Sequence, residues 1–214
     1  MIVTKLTEQK RDAGRVNVFV DGKYRLSLRL EQVVELGVRV GLEMDELELE
    51  RWEETSEFGK VYQRVLEYCL VRPRSVREME EYLWKKRLDK KLVDGGVKKG
   101  VSERMTEEVL EKLVDGGYVD DEKFTEFWVE NRMRRKGVSG RRLRMELAKK
   151  GVDVKVVESV LARSERDEKE EMRKMIVRKR AKYDDEKLVV YLVRQGFGWN
   201  EAKEAVEEYA KGDN

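Results

Sequence analysis

The side chains that could perform chemistry in this chain are carboxylates, amines, guanidinium groups and hydroxyls. The sequence contains no histidine and a single cysteine, Cys69. Ser-His-Asp and Cys-His catalytic arrangements, zinc sites built from imidazoles or thiolates, and an internal disulfide are therefore excluded. A lone cysteine also favours a reducing compartment, so we expect a cytoplasmic protein. We expect no cofactor and no bound metal.

Two pairs of adjacent aspartates, Asp120-Asp121 and Asp184-Asp185, are candidates for holding Mg²⁺ in a nuclease reaction. Each pair stands just before a predicted helix, where an acidic residue ordinarily caps the helix and meets the positive end of its dipole. No feature of the sequence brings the two pairs together. We therefore predict that they are caps and that the protein is not an enzyme, and incubation with DNA and Mg²⁺ would test the nuclease alternative.

Basic residues indicate the other available chemistry, the binding of a polyanion. Residues 131–150 hold nine basic residues against one acid, Glu146, and residues 171–182 hold six against Glu171. The net charge of the chain is nevertheless only +2, because residues 31–57 carry ten acids and two basic residues. This polarity predicts that one part of the chain meets an anionic partner. The alternative is a solvated helix face whose acidic partners lie elsewhere in the fold.

A small antiparallel β-meander is predicted at the N-terminus. Apolar residues alternate with polar ones on both sides of Asp21-Gly22, which is typical of a hairpin with a type I′ turn. Residues 2–10 form a plausible third strand that joins the hairpin through residues 12–14. Leu30, Val33 and Val34 lie at helical spacing and could cover the apolar face of the sheet, in a helix that ends at Gly37.

The rest of the chain is predicted to be helical and repetitive. Ser139 begins a pattern of leucines and valines, a glycine and a second apolar stripe, and the same roles recur forty-five residues later from Asp184. A copy that begins at Ser75 is interrupted by a thirteen-residue insertion within residues 87–100, which contains the string Lys91–Gly96 that is repeated at Lys112–Gly117. Each copy predicts a capped helix that ends in a left-handed glycine, followed by another helix.

With the helical pattern upstream of each cap, these copies predict tandem units of three short helices. The fold class is thus mainly α, with three elongated, helix-turn-helix-like repeats and the small β-meander. We place the meander, its covering helix and the acidic segment in residues 1–52, and the three repeats in residues 53–118, 119–165 and 166–214. The longest apolar run, residues 188–193, has six residues, so neither a membrane span nor a signal peptide is expected.

Several motifs in this repeated region resemble the signature of the bacterial regulatory protein RecX family. At the start of the second repeat and within it they are Gly117-Tyr118-Val119-Asp120-Asp121, Phe124, Trp128-Val129, Arg132, Lys136-Gly137, Arg142-Leu143, Glu146-Leu147 and Lys150-Gly151-Val152. Arg72-Pro73-Arg74-Ser75 with Glu78, and Gln195-Gly196-Phe197, are similar to the signatures of the first and third repeats. The likeness covers about residues 58–210. The chain departs from the family in the insertion and in Gly140, which replaces the usual proline.

The resemblance implies a non-enzymatic regulator that binds the filament of the RecA recombinase and inhibits its recombinase and coprotease activities. It would thereby modulate homologous recombination, DNA repair and the SOS response. We expect a monomer that binds the RecA filament, and single- or double-stranded DNA as well, but no membrane. The alternative is a general DNA-binding helical-repeat protein without RecA specificity. The expected contact residues are Arg72, Arg74, Arg132, Arg134, Arg135, Lys136, Arg141, Arg142, Arg144, Lys149, Lys150, Arg178 and Arg180.

The pattern also predicts which side chains are buried. Leu143 falls on the apolar stripe and is expected in the core, while Lys150 is expected to be exposed. Most aromatic residues, Trp84 among them, fall on the same stripes as the leucines and are interpreted as core. Trp199 follows Gly198 in a predicted turn, so it is the one aromatic side chain that we expect to be available for contact.

Overall fold

The computed structural model describes residues 1–9, 12–93, 95–135 and 137–212, apart from the side chains of Ala13, Met133, Arg135 and Gly212. The elements within these residues are β1 (Val3–Gln9), β2 (Asp12–Val20), β3 (Lys23–Arg29), α1 (Leu30–Glu35), α2 (Glu46–Leu70), α3 (Val76–Arg87), β4 (Lys90–Lys91), β5 (Val97–Lys98), α4 (Glu103–Asp115), α5 (Asp121–Arg135), α6 (Gly140–Lys149), α7 (Val154–Arg163), α8 (Glu168–Lys179), α9 (Asp185–Arg194) and α10 (Trp199–Gly212). The described chain is mainly helical, as predicted.

The N-terminal sheet is the predicted antiparallel meander, in the order β1-β2-β3. Asp21 and Gly22 have φ values of 49° and 76°, as a type I′ turn requires. The predicted connection through residues 12–14 is wrong, because Asp12 already belongs to β2 and pairs with Gln9 of β1. Positions 10 and 11, between the two strands, lie outside the described residues.

The apolar face of the sheet is covered mainly by α2. Leu49 and Trp52 of α2 are buried in one cluster with the inward side chains of the sheet. The expectation that α1 provides this cover is wrong for two of its three residues, since Leu30 is 51% exposed and Val34 is 80% exposed. Val33 alone packs against the cluster, because a helix of six residues presents little more than one turn to the sheet.

The later part of the acidic segment, residues 46–57, forms the first half of α2 rather than a separate element. Asp45 caps this helix by accepting a hydrogen bond from a backbone N–H in its first turn. Further along, Glu53 pairs with Arg25, and Glu54 pairs with Arg104. The expected boundary between residues 52 and 53 therefore falls inside a continuous helix of 25 residues.

Two separate hydrophobic cores follow along the chain, one for each of two helical triplets. In the first triplet α7 packs against α5 and α6, and in the second α10 packs against α8 and α9. The first core contains Phe124, Val129, Val138, Leu143, Leu147, Val152, Val157 and Val160. The second contains Met172, Met175, Ile176, Leu188, Val189, Leu192, Phe197, Ala202 and Val206. The apolar stripes predicted for these regions, including the burial of Leu143, are confirmed.

The described residues divide by their contacts into two units. The first comprises Met1–Val71 with Ser102–Val109, and the second comprises Arg72–Val101 with the chain from Leu110 onward. The first unit holds the sheet and α2, the second holds α3 and both triplets, and α4 contributes to each. The grouping of α2, α3 and α4 into a first repeat stays a prediction.

Two buried serines make the same pair of hydrogen bonds at successive places in the second unit. Ser75 caps α3 and Ser139 caps α6, each by accepting from a backbone N–H of its own helix. Each hydroxyl also donates to a backbone carbonyl in the turn after a later helix. The Ser75 hydroxyl lies 2.9 Å from the Lys150 carbonyl, and the Ser139 hydroxyl lies 2.6 Å from the Gln195 carbonyl. The repetition of these contacts is what the tandem pattern in the sequence predicts.

The residue after each serine extends this equivalence. The Val76 N–H donates to Asp121 at 2.9 Å, and the Gly140 N–H donates to Glu168 at 3.0 Å. A proline in place of Gly140 has no N–H to donate. The glycine therefore adds a hydrogen bond to this turn.

The glycines that follow the capped helices behave differently in the three copies. Gly151 and Gly196 have φ values of 78° and 98°, so the predicted left-handed ends are confirmed there. The same prediction for Gly100 is wrong, because α3 ends at Arg87 and Gly100 does not adopt a positive φ. Gly100 is required for another reason: a Cβ there would lie 1.9 Å from the carbonyl oxygen of Arg87.

The insertion forms a β-hairpin between α3 and α4. Strands β4 and β5 are antiparallel, with Lys90 opposite Lys98 and Lys91 opposite Val97. The hairpin was not among the sequence predictions, although lysines and apolar residues that flank a Gly-Gly turn are a usual signal for one.

Substituting Leu143 should destabilise the protein far more than substituting a neighbour on the same helix. Leu143 is fully buried, whereas Met145 is 54% exposed. Leu143→Asp buries an unpaired charge and should lower the free energy of unfolding by at least about 3 kcal/mol. Met145→Asp should change it by about 0.5 kcal/mol or less. Urea unfolding followed by circular dichroism measures both, and similar midpoints for the two variants would contradict this placement of the core.

Removing the Ser139 hydroxyl should cost more than removing an ordinary cap. Ser139→Ala loses the cap, worth about 1 kcal/mol, and leaves the Gln195 carbonyl without its donor, worth about 1 kcal/mol more. Asp184 caps α9 and is exposed, so Asp184→Ala should cost about 1 kcal/mol. Equal losses of unfolding free energy would show that the hydrogen bond to Gln195 contributes nothing.

Candidate nucleic-acid interface

The outer side of α6 carries a group of exposed basic side chains. Leu143 and Leu147 are fully buried and fix which side of the helix faces the core. The basic residues at the other positions of the helix, like Met145, are exposed. We call this group the α6 basic surface, and its members are Arg141, Arg142, Arg144 and Lys149.

Two members of the α6 basic surface are paired with carboxylates. Arg144 donates two hydrogen bonds to Glu158, at 2.6 and 2.9 Å, and these bonds lower the pKa of the Glu158 carboxyl below its usual value. Arg142 pairs with Glu146 at 3.3 Å. Both arginines keep nearly half of their side-chain surface exposed. Exposed pairs of this kind contribute about 1 kcal/mol or less, so an anionic partner can displace the carboxylates at low cost.

The other two members have no such partner. Arg141 and Lys149 are exposed, and no carboxylate in the described part of the chain forms an ion pair with either of them. They are available to an external anion without the loss of an internal contact.

Arg132 and Arg134 lie on α5 and differ in their surroundings. Arg132 donates to Glu146 at 2.8 Å and lies over the ring of Trp128, 5.2 Å from its centre. The Trp128 indole N–H donates to the same carboxylate at 3.0 Å. Arg134 is 79% exposed and pairs with Glu130 at 3.3 Å. The predicted contacts of the Arg135 side chain and of Lys136 lie outside the described residues.

Three more of the expected contact residues surround Glu78. Lys150 approaches this carboxylate at 2.6 Å, Arg72 at 2.9 Å and Arg74 at 3.9 Å. The Glu78 side chain is only 11% exposed. The expectation that Lys150 is exposed is therefore wrong, because this buried carboxylate attracts its amine. This cluster holds the start of α3 and the end of α6, which is a structural role.

The remaining two expected residues lie at the end of α8. Arg178 is exposed, and Arg180 pairs with Asp185 at the start of α9. The structure thus collects the expected contact residues into one group on α6, a second around Glu78, and smaller groups on α5 and α8.

The aspartates of the two pairs accept hydrogen bonds from backbone N–H groups or pair with basic side chains. Asp120 and Asp184 accept hydrogen bonds from backbone N–H groups in the first turns of α5 and α9, so the predicted caps are confirmed. Asp121 accepts from the Val76 N–H, and burial raises the pKa of its carboxyl. Among the residues that the structure describes, no cluster of three or more acidic, cysteine or histidine side chains could hold a metal ion.

The aromatic side chains differ from expectation at one position. Phe124 and Phe197 are buried, as predicted, and Trp199 is 56% exposed, also as predicted. Trp84 was expected in the core but is likewise 56% exposed. The reason is that the apolar stripe of α3 passes through Met79 and Leu83, and Trp84, one position further along the helix, points to a different side.

The stability provided by Glu78 should depend on pH. Burial raises the pKa of this carboxyl, but hydrogen bonds from Arg72 and Lys150 outweigh burial, so the pKa lies below its usual value. A lowered pKa stabilises the folded state above the ordinary glutamate pKa of about 4.3, and that contribution is lost as the pH falls through the folded value. Glu78→Gln should therefore lower the free energy of unfolding at pH 7, on the order of 1–2 kcal/mol, and the difference from the natural protein should shrink towards pH 3.

Thermal unfolding from pH 7 to pH 3 tests this. The exposed Glu80 provides the control, since Glu80→Gln should have little effect at any pH in that range. A constant difference between the natural protein and Glu78→Gln would mean that the carboxylate charge does not stabilise the cluster.

Over the described residues, no helix is long and apolar enough to cross a membrane. Residues 1–45 match the regulatory protein RecX N-terminal domain, and residues 120–161 match the second three-helix domain of RecX. The second match contains α5, α6 and most of α7, and with them the α6 basic surface.

Whole-length comparisons agree with these matches. The regulatory protein RecX of Caldanaerobacter subterraneus subsp. tengcongensis is 31% identical over 92% of this chain and 94% of its own length. That of Bacillus licheniformis is 28% identical over 96% of this chain and 76% of its own length. A crystal structure of regulatory protein RecX has the same fold, with a TM-score of 0.70 at 20% identity over 97% of this chain and 98% of the other. This chain belongs to the RecX family of regulatory proteins.

Proposed function

We propose that this protein binds the filament that the RecA recombinase forms on DNA, and that it thereby inhibits strand exchange and coprotease activity. Family membership supports a regulatory role, since the relatives are named regulatory proteins. The observation that carries the proposal is the α6 basic surface, which lies within the matched second three-helix domain. The protein would act in the cytoplasm.

The chemistry of the α6 basic surface suits a repetitive anionic partner. A protein filament on DNA presents acidic side chains and phosphates at regular intervals along a groove. Arg141 and Lys149 can meet such anions directly, while Arg142 and Arg144 exchange an exposed carboxylate for the new partner. Each contact is weak, but several contacts made by the same surface add to a high overall affinity.

The internal carboxylates also prepare the arginines for binding. Glu158 holds the Arg144 guanidinium by two hydrogen bonds and so restricts its rotamers before the partner arrives. A restricted side chain loses less conformational entropy on binding. A chain docked along the groove would exclude the second DNA strand and the protein substrates of the coprotease, which explains inhibition without any catalytic group.

Reversing the two unpaired cations should weaken filament binding while leaving the fold intact. Arg141→Glu with Lys149→Glu removes no internal ion pair within the described residues. We expect its affinity for RecA filaments on single-stranded DNA to fall by roughly tenfold or more, with a shallower dependence on salt. Co-sedimentation with the filament measures binding, and a strand-exchange assay measures the accompanying loss of inhibition.

A matched control makes the same change of charge elsewhere. Lys155 and Lys211 are exposed residues of α7 and α10, and Lys155→Glu with Lys211→Glu should bind filaments as the natural protein does. If the α6 variant co-sediments unchanged, the α6 basic surface is not the contact. Equal affinity of the natural protein for naked DNA and for the filament would instead favour the general DNA-binding alternative.

A further inference from the structure

The β4-β5 hairpin combines positive charge with exposed apolar side chains. Residues 85–99 contain seven basic and two acidic residues. Val93 at the tip is fully exposed, and Leu92 and Val97 are 46% and 56% exposed. A solvent-exposed loop normally carries polar residues at its tip, so this combination indicates a surface that a partner covers.

The pairing of the strands adds a second indication of an anionic partner. Lys90 lies directly opposite Lys98, and like charges in that position destabilise a hairpin. No carboxylate in the described part of the chain forms an ion pair with Lys90, Lys91 or Lys98, although Lys99 nearby is paired with Asp89. An external polyanion would remove the repulsion between the facing lysines.

The hairpin is firmly attached at its base, which a binding element requires. Asp89 accepts a hydrogen bond from the Gly100 N–H at 2.9 Å and pairs with Lys99 at 3.0 Å. These contacts lower the pKa of the Asp89 carboxyl. The Val101 N–H donates to the Lys86 carbonyl at 2.9 Å, and the lack of a side chain at Gly100 lets the returning strand approach Arg87 closely. These contacts hold the base of the hairpin against the end of α3.

We propose that the β4-β5 hairpin is a separate binding element for duplex DNA. Lys90, Lys91 and Lys98 would contact phosphates, and Leu92 and Val93 at the tip would enter a groove and pack against sugars and base edges. A two-stranded ribbon fits a groove of B-DNA, and apolar side chains that enter the minor groove bend the duplex. This contact needs no RecA and involves none of the residues of the α6 basic surface.

The first experiment measures affinity for a labelled duplex by fluorescence anisotropy, with no RecA present. Lys90→Ser, Lys91→Ser and Lys98→Ser are combined in one variant, which leaves the Asp89 anchor in place. Its affinity at low salt should fall by roughly tenfold or more. The slope of log K against log salt should become shallower by about two to three, since each lysine-phosphate contact contributes about 0.9.

The control variant carries Lys155→Ser, Lys203→Ser and Lys211→Ser, which are exposed lysines of α7 and α10. It has the same net charge as the hairpin variant and should keep the natural affinity and slope. Equal losses in the two variants would show only a general effect of net charge and would overturn the proposal, as would natural binding by the hairpin variant. Circular dichroism and melting temperature should change little in both, because the substituted lysines lie on the surface, where single charge contacts contribute about 1 kcal/mol or less.

The second experiment examines the tip. Leu92→Ser with Val93→Ser should leave the salt slope unchanged and reduce bending of the duplex, measured by energy transfer between its two ends. Unchanged bending would exclude the insertion of the tip. Preferential binding of single-stranded DNA, or of phosphatidylserine vesicles, through the same residues would show that the partner is not duplex DNA.

The two proposals can fail independently. A hairpin variant that binds duplex DNA normally overturns this inference and leaves the role of the α6 basic surface standing. Conversely, an α6 variant that still binds filaments refutes the proposed function, even if the hairpin lysines prove necessary for binding duplex DNA.

Discussion

The second unit of this protein depends on two hydrogen bonds, which join the starts of α3 and α6 to the turns that follow α6 and α9. The hydroxyls of Ser75 and Ser139 accept from their own helices and donate to carbonyls that follow α6 and α9. Both serines are buried, so the bonds form where water does not compete. The constraint sets the position of α6, and with it the direction of the α6 basic surface.

Carboxylates with little exposed surface also stabilise the turns that precede α3 and α6. Glu171 is 1% exposed and accepts from the Val138 N–H at 3.0 Å, while Lys174 pairs with its other oxygen. Glu78 attracts three cations. A chain with 43% charged residues thus uses part of its charge to hold the turns between helices. Basic residues that are paired internally in this way are less available for binding a partner. The number of basic residues in the sequence therefore overstates the size of the binding surface.

The sequence predicted the elements better than it predicted the surroundings of the charges. The apolar stripes of α6 and α9 repeat at a fixed spacing, and that spacing identifies buried positions because one helix side must face a core. The exposure of Lys150 was misjudged because its partner, Glu78, is seventy-two residues away. The lysines of the hairpin are not among the expected contact residues, because the insertion interrupts the repeated pattern from which those residues were identified.

The string Lys-Leu-Val-Asp-Gly-Gly occurs twice and separates what the sequence determined from what the tertiary structure decided. At 112–117 it ends α4, with Leu113 fully buried and the second glycine, Gly117, left-handed. At 91–96 it turns a hairpin, with Leu92 exposed and the first glycine, Gly95, left-handed. Both copies stop a regular element, because the glycines tolerate a positive φ and the aspartate favours a turn. Whether a helix or a strand precedes the turn depends on whether a core is present to bury the leucine. Only the tertiary structure supplies that core.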